Sequence, residues 1–154
     1  MTVRRIELEG TIALDDVSHV RRFVEALHRR VAMTHDDASR LAMVTHELLE
    51  NAIKFSTDGG ASLRVEVAAA NRVCITTRNR TRERDLDALK AITSTLVARD
   101  PMDVYIGLMK RAPAAPGGLG LGRVAAEGEM EIGLALDGDI VQVQARTTLA
   151  PPPA

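Results

Sequence analysis

Three side chains within His46-Glu47-Leu48-Leu49-Glu50-Asn51-Ala52-Ile53-Lys54-Phe55-Ser56 have the types and spacing to do chemistry together. In an α-helix turning about 100° per residue, Glu47, Asn51 and Lys54 fall within an arc of roughly 60°. Asparagine has little helical propensity of its own, so its place inside a strong helix pattern invites a chemical reason. A carboxylate, an amide and an ammonium along one stripe suit the handling of a phosphorylated ligand. The amide oxygen is a hard ligand matched to Mg²⁺, the lysine can meet phosphate charge, and the carboxylate can take a proton from a nucleophile. The same stripe also reads as a solvated face on which Glu50 and Lys54 form an ordinary i,i+4 ion pair.

The elements that must position this stripe follow from periodicity. Arg5 to Leu14 alternates, with Ile6 and Leu8 on one side and Arg5, Glu7 and Glu9 on the other, and reads as a strand bent near Gly10. Asp15 or Asp16 then caps a helix whose Val17, Val20, Val24, Leu27 and Val31 make one apolar stripe. A second helix starts at Thr34, with Asp37 three residues on in a capping-box-like arrangement, and carries the chemical stripe to Ser56. Ser62 to Ala69 and Arg72 to Thr77 read as strands. A helix bearing Leu86, Leu89, Ile92 and Leu96 follows, and Asp100-Pro101 opens a further helix to Arg111. Ala112 to Gly122 reads as a loop and Leu121 to Glu127 as a short helix. Met130 to Leu136 and Ile140 to Thr148 flank the hairpin signal Asp137-Gly138.

This order predicts an α+β two-layer α/β sandwich, with a mixed, mainly antiparallel sheet and helices on one face. The expected organisation is a single domain over residues 1–149 and a disordered tail at 150–154.

Composition narrows the function classes. The chain has 154 residues, 45% hydrophobic and 27% charged, with 20 basic and 21 acidic side chains giving a net charge of -1. No bulk field draws it to nucleic acid or anionic lipid. Phe23, Phe55 and Tyr105 are the only aromatics, too few for a base-stacking platform. Cys74 alone can form no internal disulfide and reads as a small buried hydrophobe. No stretch approaches the roughly 20 apolar residues of a membrane span, and no apolar signal region opens the chain, so a cytoplasmic location is expected.

The motif Glu47-x-x-x-Asn51-Ala52-x-Lys54-Phe55 resembles the asparagine box of the GHKL (histidine-kinase-like) ATPases. Residues 5 to 56 resemble the N-terminal half of their anti-sigma-factor serine kinase subfamily, in which a strand and the Val20-Arg21-Arg22-Phe23-Val24 helix precede the motif helix. The resemblance implies a histidine-kinase-like ATPase fold, with ATP and Mg²⁺ as cofactors. It implies Glu47 as catalytic base toward a partner serine, Asn51 as Mg²⁺ ligand and Lys54 beside the phosphates. The family's first glycine box, Asp-x-Gly-x-Gly, corresponds here to Ile75-Thr76-Thr77-Arg78-Asn79-Arg80-Thr81-Arg82, which has neither Asp nor Gly. Asn79 stands where the adenine-binding Asp would be, and its carbonyl can still accept a hydrogen bond; it also reads as a turn residue ending a strand. Pro116-Gly117-Gly118-Leu119-Gly120-Leu121-Gly122-Arg123 is similar to the second glycine box, which implies that Gly117, Gly118, Gly120 and Gly122 close over the triphosphate; a plain connector is the rival reading.

Two function classes follow from the resemblance. One is a bacterial regulator that phosphorylates or sequesters a STAS-domain, anti-sigma-antagonist-like partner or a sigma factor in a partner-switching module, with possible homodimerisation through a sheet edge or the first helix. The other is a catalytically degenerate binding module of the same fold. The dipeptide His46-Glu47 also resembles that of phosphoacceptor helices, which keeps histidine phosphotransfer as a third reading. His19, His28 and His35 read as solvent-facing. Met102, Tyr105, Ile106, Leu108 and Met109 read either as core or as a partner surface.

Overall fold

A computed structural model describes residues 4–29, 34–111 and 118–150. The expected Gly117, Val31 and the tail from Pro151 lie outside the described residues. The strands are β1 (Arg4–Thr11), β2 (Gly60–Val67), β3 (Arg72–Arg80), β4 (Glu131–Asp137) and β5 (Ile140–Thr148). The helices are α1 (Val17–Arg29), α2 (His35–Lys54), α3 (Glu83–Ala98), α4 (Pro101–Lys110) and α5 (Gly118–Ala126). The strands form one sheet in the order β1-β2-β3-β5-β4, and every pairing is antiparallel. The α+β two-layer sandwich read from the sequence is the architecture found, with antiparallel pairing throughout the sheet.

Register explains why one face is covered and the other is not. One rung of the sheet runs Ile6–Val65–Ile75–Ala145–Ile132 across all five strands and faces the helices. The neighbouring rung, Glu7–Arg64–Thr76–Gln144–Gly133, faces away. On that open face Arg64 pairs with Glu7 at 2.8 Å and Arg5 with Glu66 at 3.1 Å. Cys74 belongs to the open face and is half-buried there, not enclosed in the core. The strand alternation that predicted burial was right in period but placed it on the other side.

Helix α2 is the spine of the helical layer. Thr34 caps it, accepting from the Asp37 amide at 3.1 Å, and Leu41 to Thr45 are buried without a break. That all-round burial reflects α2's position between the sheet, α1 and α5. Before α1 the chain leaves β1 at Thr11 and makes a 3₁₀ turn over Leu14–Asp16, where Asp16 accepts from the Ala13 amide at 3.1 Å. The strand thus stops short of Leu14. On α4, Val104 and Tyr105 are buried while Met102, Ile106 and Met109 are exposed, so the stripe splits between core and surface. Among the described residues no helix is long and apolar enough to cross a membrane.

His28 departs from expectation. It is fully buried on α1, with Nδ1 2.7 Å from the Val24 carbonyl and Nε2 without a hydrogen-bond partner. Burial, the largest effect, lowers its pKa below the usual imidazole value.

Candidate functional site

The core face of β3 changes character along its length. Val73 and Ile75 are apolar, then Thr77, Asn79 and finally Thr81 continue the same side with polar groups, all buried. The last turns of α2 lie across this polar end. Together Leu48, Asn51, Ala52 and Phe55 of α2, the β3 residues, Asp85 and Leu89 of α3, Leu121 of α5, and Val141 and Val143 of β5 enclose a hollow of about 40 Å³. Its floor is aliphatic, and amide, hydroxyl and carboxylate groups stand along its edge. A space of that size holds about one water, far less than the several hundred Å³ of an open ligand pocket.

Backbone bonds fix the rim. The Thr57 amide donates to the Arg80 carbonyl at 3.0 Å and the Thr81 amide to the Asp139 carbonyl at 2.9 Å. Asp58, in the turn after α2, accepts from the Gly60 amide at 2.9 Å and from the Ser56 hydroxyl at 3.0 Å. Those two bonds, the amide first, hold its carboxyl below the usual range.

The residues singled out in the sequence fall into two groups. Asn51 and Asn79 line the same hollow, one from α2 and one from β3. Asn79 donates from Nδ2 to the Arg80 carbonyl at 3.1 Å, so it is an ordered strand residue and not part of a turn. Lys54, by contrast, is exposed, ion-pairs with Glu50 one turn back, and does not line the hollow. The Lys54 ammonium and then His46 hold the Glu50 carboxyl below its ordinary value. His46 engages Glu50 Oε2 through Nε2 at 3.0 Å, and its Nδ1 is buried without a partner.

The glycine run is the main structural correction. Gly118, Gly120 and Gly122 are helical, the first part of α5, where a loop was expected. At Gly120 and Gly122 the lack of a side chain serves close packing. A Cβ on Gly122 would stand 3.1 Å from Leu108 Cδ1 and 3.3 Å from Tyr105 Cδ1 of α4. One on Gly120 would stand 2.8 Å from Glu47 Oε2 and 3.4 Å from Asn51 Nδ2. Burial of Leu121 and Val124 between these contacts outweighs the poor helical propensity of glycine.

Glu47 lies against this helix, is half-buried and does not line the hollow. Arg123 Nη1 of α5 donates to Glu47 Oε1 at 3.0 Å, and Arg123 Nε donates to Glu127 Oε2 at 2.8 Å. The bond to Glu127 first, and then that to Glu47, raise the guanidinium pKa. Thr77, Thr81, Asp85 and Arg123 were not singled out from sequence. The two threonines could have been, because they alternate with Ile75 and Asn79 on one side of β3. Asp85 and Arg123 carry no local signal.

Against known structures, the chain is similar to a chain in the crystal structure of the SiaB–SiaC complex from Pseudomonas aeruginosa. The TM-score is 0.75 at 13% sequence identity, over 92% of this chain and 89% of that one. A likeness at that identity establishes a shared fold. No protein-family model and no curated protein matches the sequence.

Proposed function

We propose that this protein is a regulator that binds a protein partner and takes ATP with Mg²⁺ between α2, β3 and α5, phosphorylating a serine of a STAS-type partner. One observation carries the reading. Asn51 and Asn79, which the resemblance pairs as metal and adenine ligands, line one hollow, and Gly120 packs against Asn51. The donor set fits the group: a hard amide oxygen at Asn51, an acceptor at Asn79, and a carboxylate at Asp85. A hollow of about 40 Å³ is too small for a nucleotide, so binding would require its walls to part. Among the described residues no cluster of three or more His, Cys, Asp or Glu side chains could hold a metal alone, so Asn51 would share the ion with phosphate oxygens.

In this reading bound ATP supplies the phosphoryl group. Asn51 would hold the metal, Asn79 and Asp85 would accept from the base, and Glu47, freed from Arg123, would take the proton of the incoming hydroxyl. Lys54 would have to leave Glu50 to take part. That a protein of this fold occurs in the SiaB–SiaC complex supports a protein partner, as the STAS-type, sigma-factor or homodimer readings all require.

A second reading is favoured by the Glu47–Arg123 pair and the small hollow: a module that sequesters its partner without nucleotide. Thermal melting with ATP and Mg²⁺ separates the two. Saturable, Mg²⁺-dependent stabilisation, lost in Asn51→Ala, supports nucleotide binding by mass action. An unchanged melting curve at millimolar ATP overturns it in favour of sequestration. Histidine phosphotransfer draws no support from His46, whose ring nitrogens are taken by Glu50 or buried.

A further inference from the structure

One contact near Asn51 does two jobs. Arg123 joins α5 to α2 through Glu47 and is braced from behind by Glu127, the residue just after α5. Glu47 is 18% exposed and Arg123 36%, so the pair is half-buried, and its bonds are charge-assisted. Tyr105 of α4 is buried beside them. Its hydroxyl pKa is raised by burial first, and also by the Glu127 and Glu47 charges. Gly120 brings the α5 backbone onto Glu47 and Asn51 with no side chain between.

Two consequences follow from the same geometry. While Arg123 holds Glu47, α5 stays packed on α2 with Leu121 set into the wall of the hollow. Glu47 Oε1 is at the same time occupied by the Arg123 guanidinium at 3.0 Å, so an incoming hydroxyl must displace that donor to reach it. Moving α5 off α2 and freeing Glu47 therefore both break the same bond.

We propose that Arg123 is a latch: its bond to Glu47 keeps α5 seated and the site silent, and breaking that bond is the step on which any regulator of this protein acts. The ligand part of this proposal rests on the nucleotide reading above; the latch itself does not.

Amide hydrogen exchange of residues 118–126 in the full chain, without nucleotide, tests it directly. Arg123→Gln and Glu47→Gln each remove one side of the pair and no apolar core, so both variants should fold. Each is expected to speed α5 exchange roughly five- to thirtyfold, and the double variant no more than either alone. Glu127→Gln leaves the inter-helix bond in place and should have a smaller effect, while Arg123→Lys should restore part of the protection. Unchanged α5 exchange in Arg123→Gln, or additive effects of the two single variants, overturns the latch.

ATP with Mg²⁺ added to the same variants separates this idea from the nucleotide reading. Faster exchange together with tighter ATP binding in Arg123→Gln supports both. Faster exchange with no ATP binding in any variant supports the latch and overturns the nucleotide reading. Unchanged exchange in Arg123→Gln, with ATP bound by the parent, does the reverse.

Discussion

Gly120 lies so close to Glu47 that a methyl group on its Cα would stand 2.8 Å from the carboxylate oxygen Oε2. Two effects oppose each other in Gly120→Ala. Alanine in a helix is favoured over glycine by about 1 kcal/mol, whereas the added methyl must push aside the end of the Glu47 side chain. That end is flexible, so the chain can yield by rotation at the expense of the Arg123 bond. We expect a net stability change within about 1 kcal/mol, a Tm shift of no more than about 4 °C. Calorimetry showing a larger fall would mean that Glu47 cannot move.

Gly128→Ala should behave differently. There the new Cβ would meet the Val124 carbonyl oxygen at 2.3 Å and Val44 Cγ2 at 2.7 Å. The first neighbour is backbone, and the second belongs to the buried heart of α2, so neither can swing away. The Gly128 amide also donates to the Arg123 carbonyl at 3.0 Å, tying the end of α5. The expected cost is about 2–3 kcal/mol, a Tm loss of roughly 5–10 °C by thermal melting. A variant as stable as the parent would show that the α5 terminus relaxes freely.

The contrast between these glycines also shows what the sequence could and could not reveal. Periodicity and caps made α2 readable: Thr34 caps it and the apolar stripe from Ala38 to Ile53 lies inward. Asp137-Gly138, with Gly138 at φ 61°, made the β4–β5 hairpin readable for the same local reason. The adjacency of Asn51 and Asn79 was implied by family resemblance and not by spacing. Glycine-rich sequence does not distinguish a loop from a helix packed closely on its neighbours, because both need the side chain absent. Tertiary contacts with Leu108, Tyr105 and Glu47 decide the matter. The Glu47–Arg123 pair joins residues 76 positions apart, and no local pattern encodes it. His28 sits four residues after Val24, on the apolar stripe of α1, but its polarity masked the arithmetic.

His28 gives a pH dependence of stability with a definite sign. Its folded-state pKa lies below the ordinary imidazole value of 6.5, through burial first and then the nearby Arg4 charge, with the Val24 carbonyl acting the other way. Above pH 6.5 both folded and unfolded chains carry a neutral ring and its contribution is intact. As pH falls below 6.5 the unfolded chain binds a proton that the folded one resists, and stability is lost until the folded pKa is passed. Urea melts between pH 8 and pH 5 should show this decline, and His28→Leu should lack that part of it. An identical decline in His28→Leu would assign it to other groups.

Asn79→Asp restores the acid that the first glycine box of the resembled family carries, and its expected outcome is destabilisation of the unliganded protein. The side chain is only 8% exposed and shares its hollow with Asp85, so a second carboxylate would be both desolvated and repelled. It would also set an oxygen against the Arg80 carbonyl, to which Asn79 now donates at 3.1 Å. The cost at neutral pH should be about 1–3 kcal/mol. Because the folded-state pKa of the introduced acid is raised, the penalty is absent below the unfolded value of about 3.9 and grows as pH rises through the folded one. The stability gap to the parent should therefore be wider at pH 8 than at pH 5. If the hollow takes adenine, ATP with Mg²⁺ should stabilise Asn79→Asp more than the parent, since the exocyclic amine gives the carboxylate a donor. A gap that does not change with pH would show that position 79 reaches water, and equal stabilisation by ATP would place the base elsewhere.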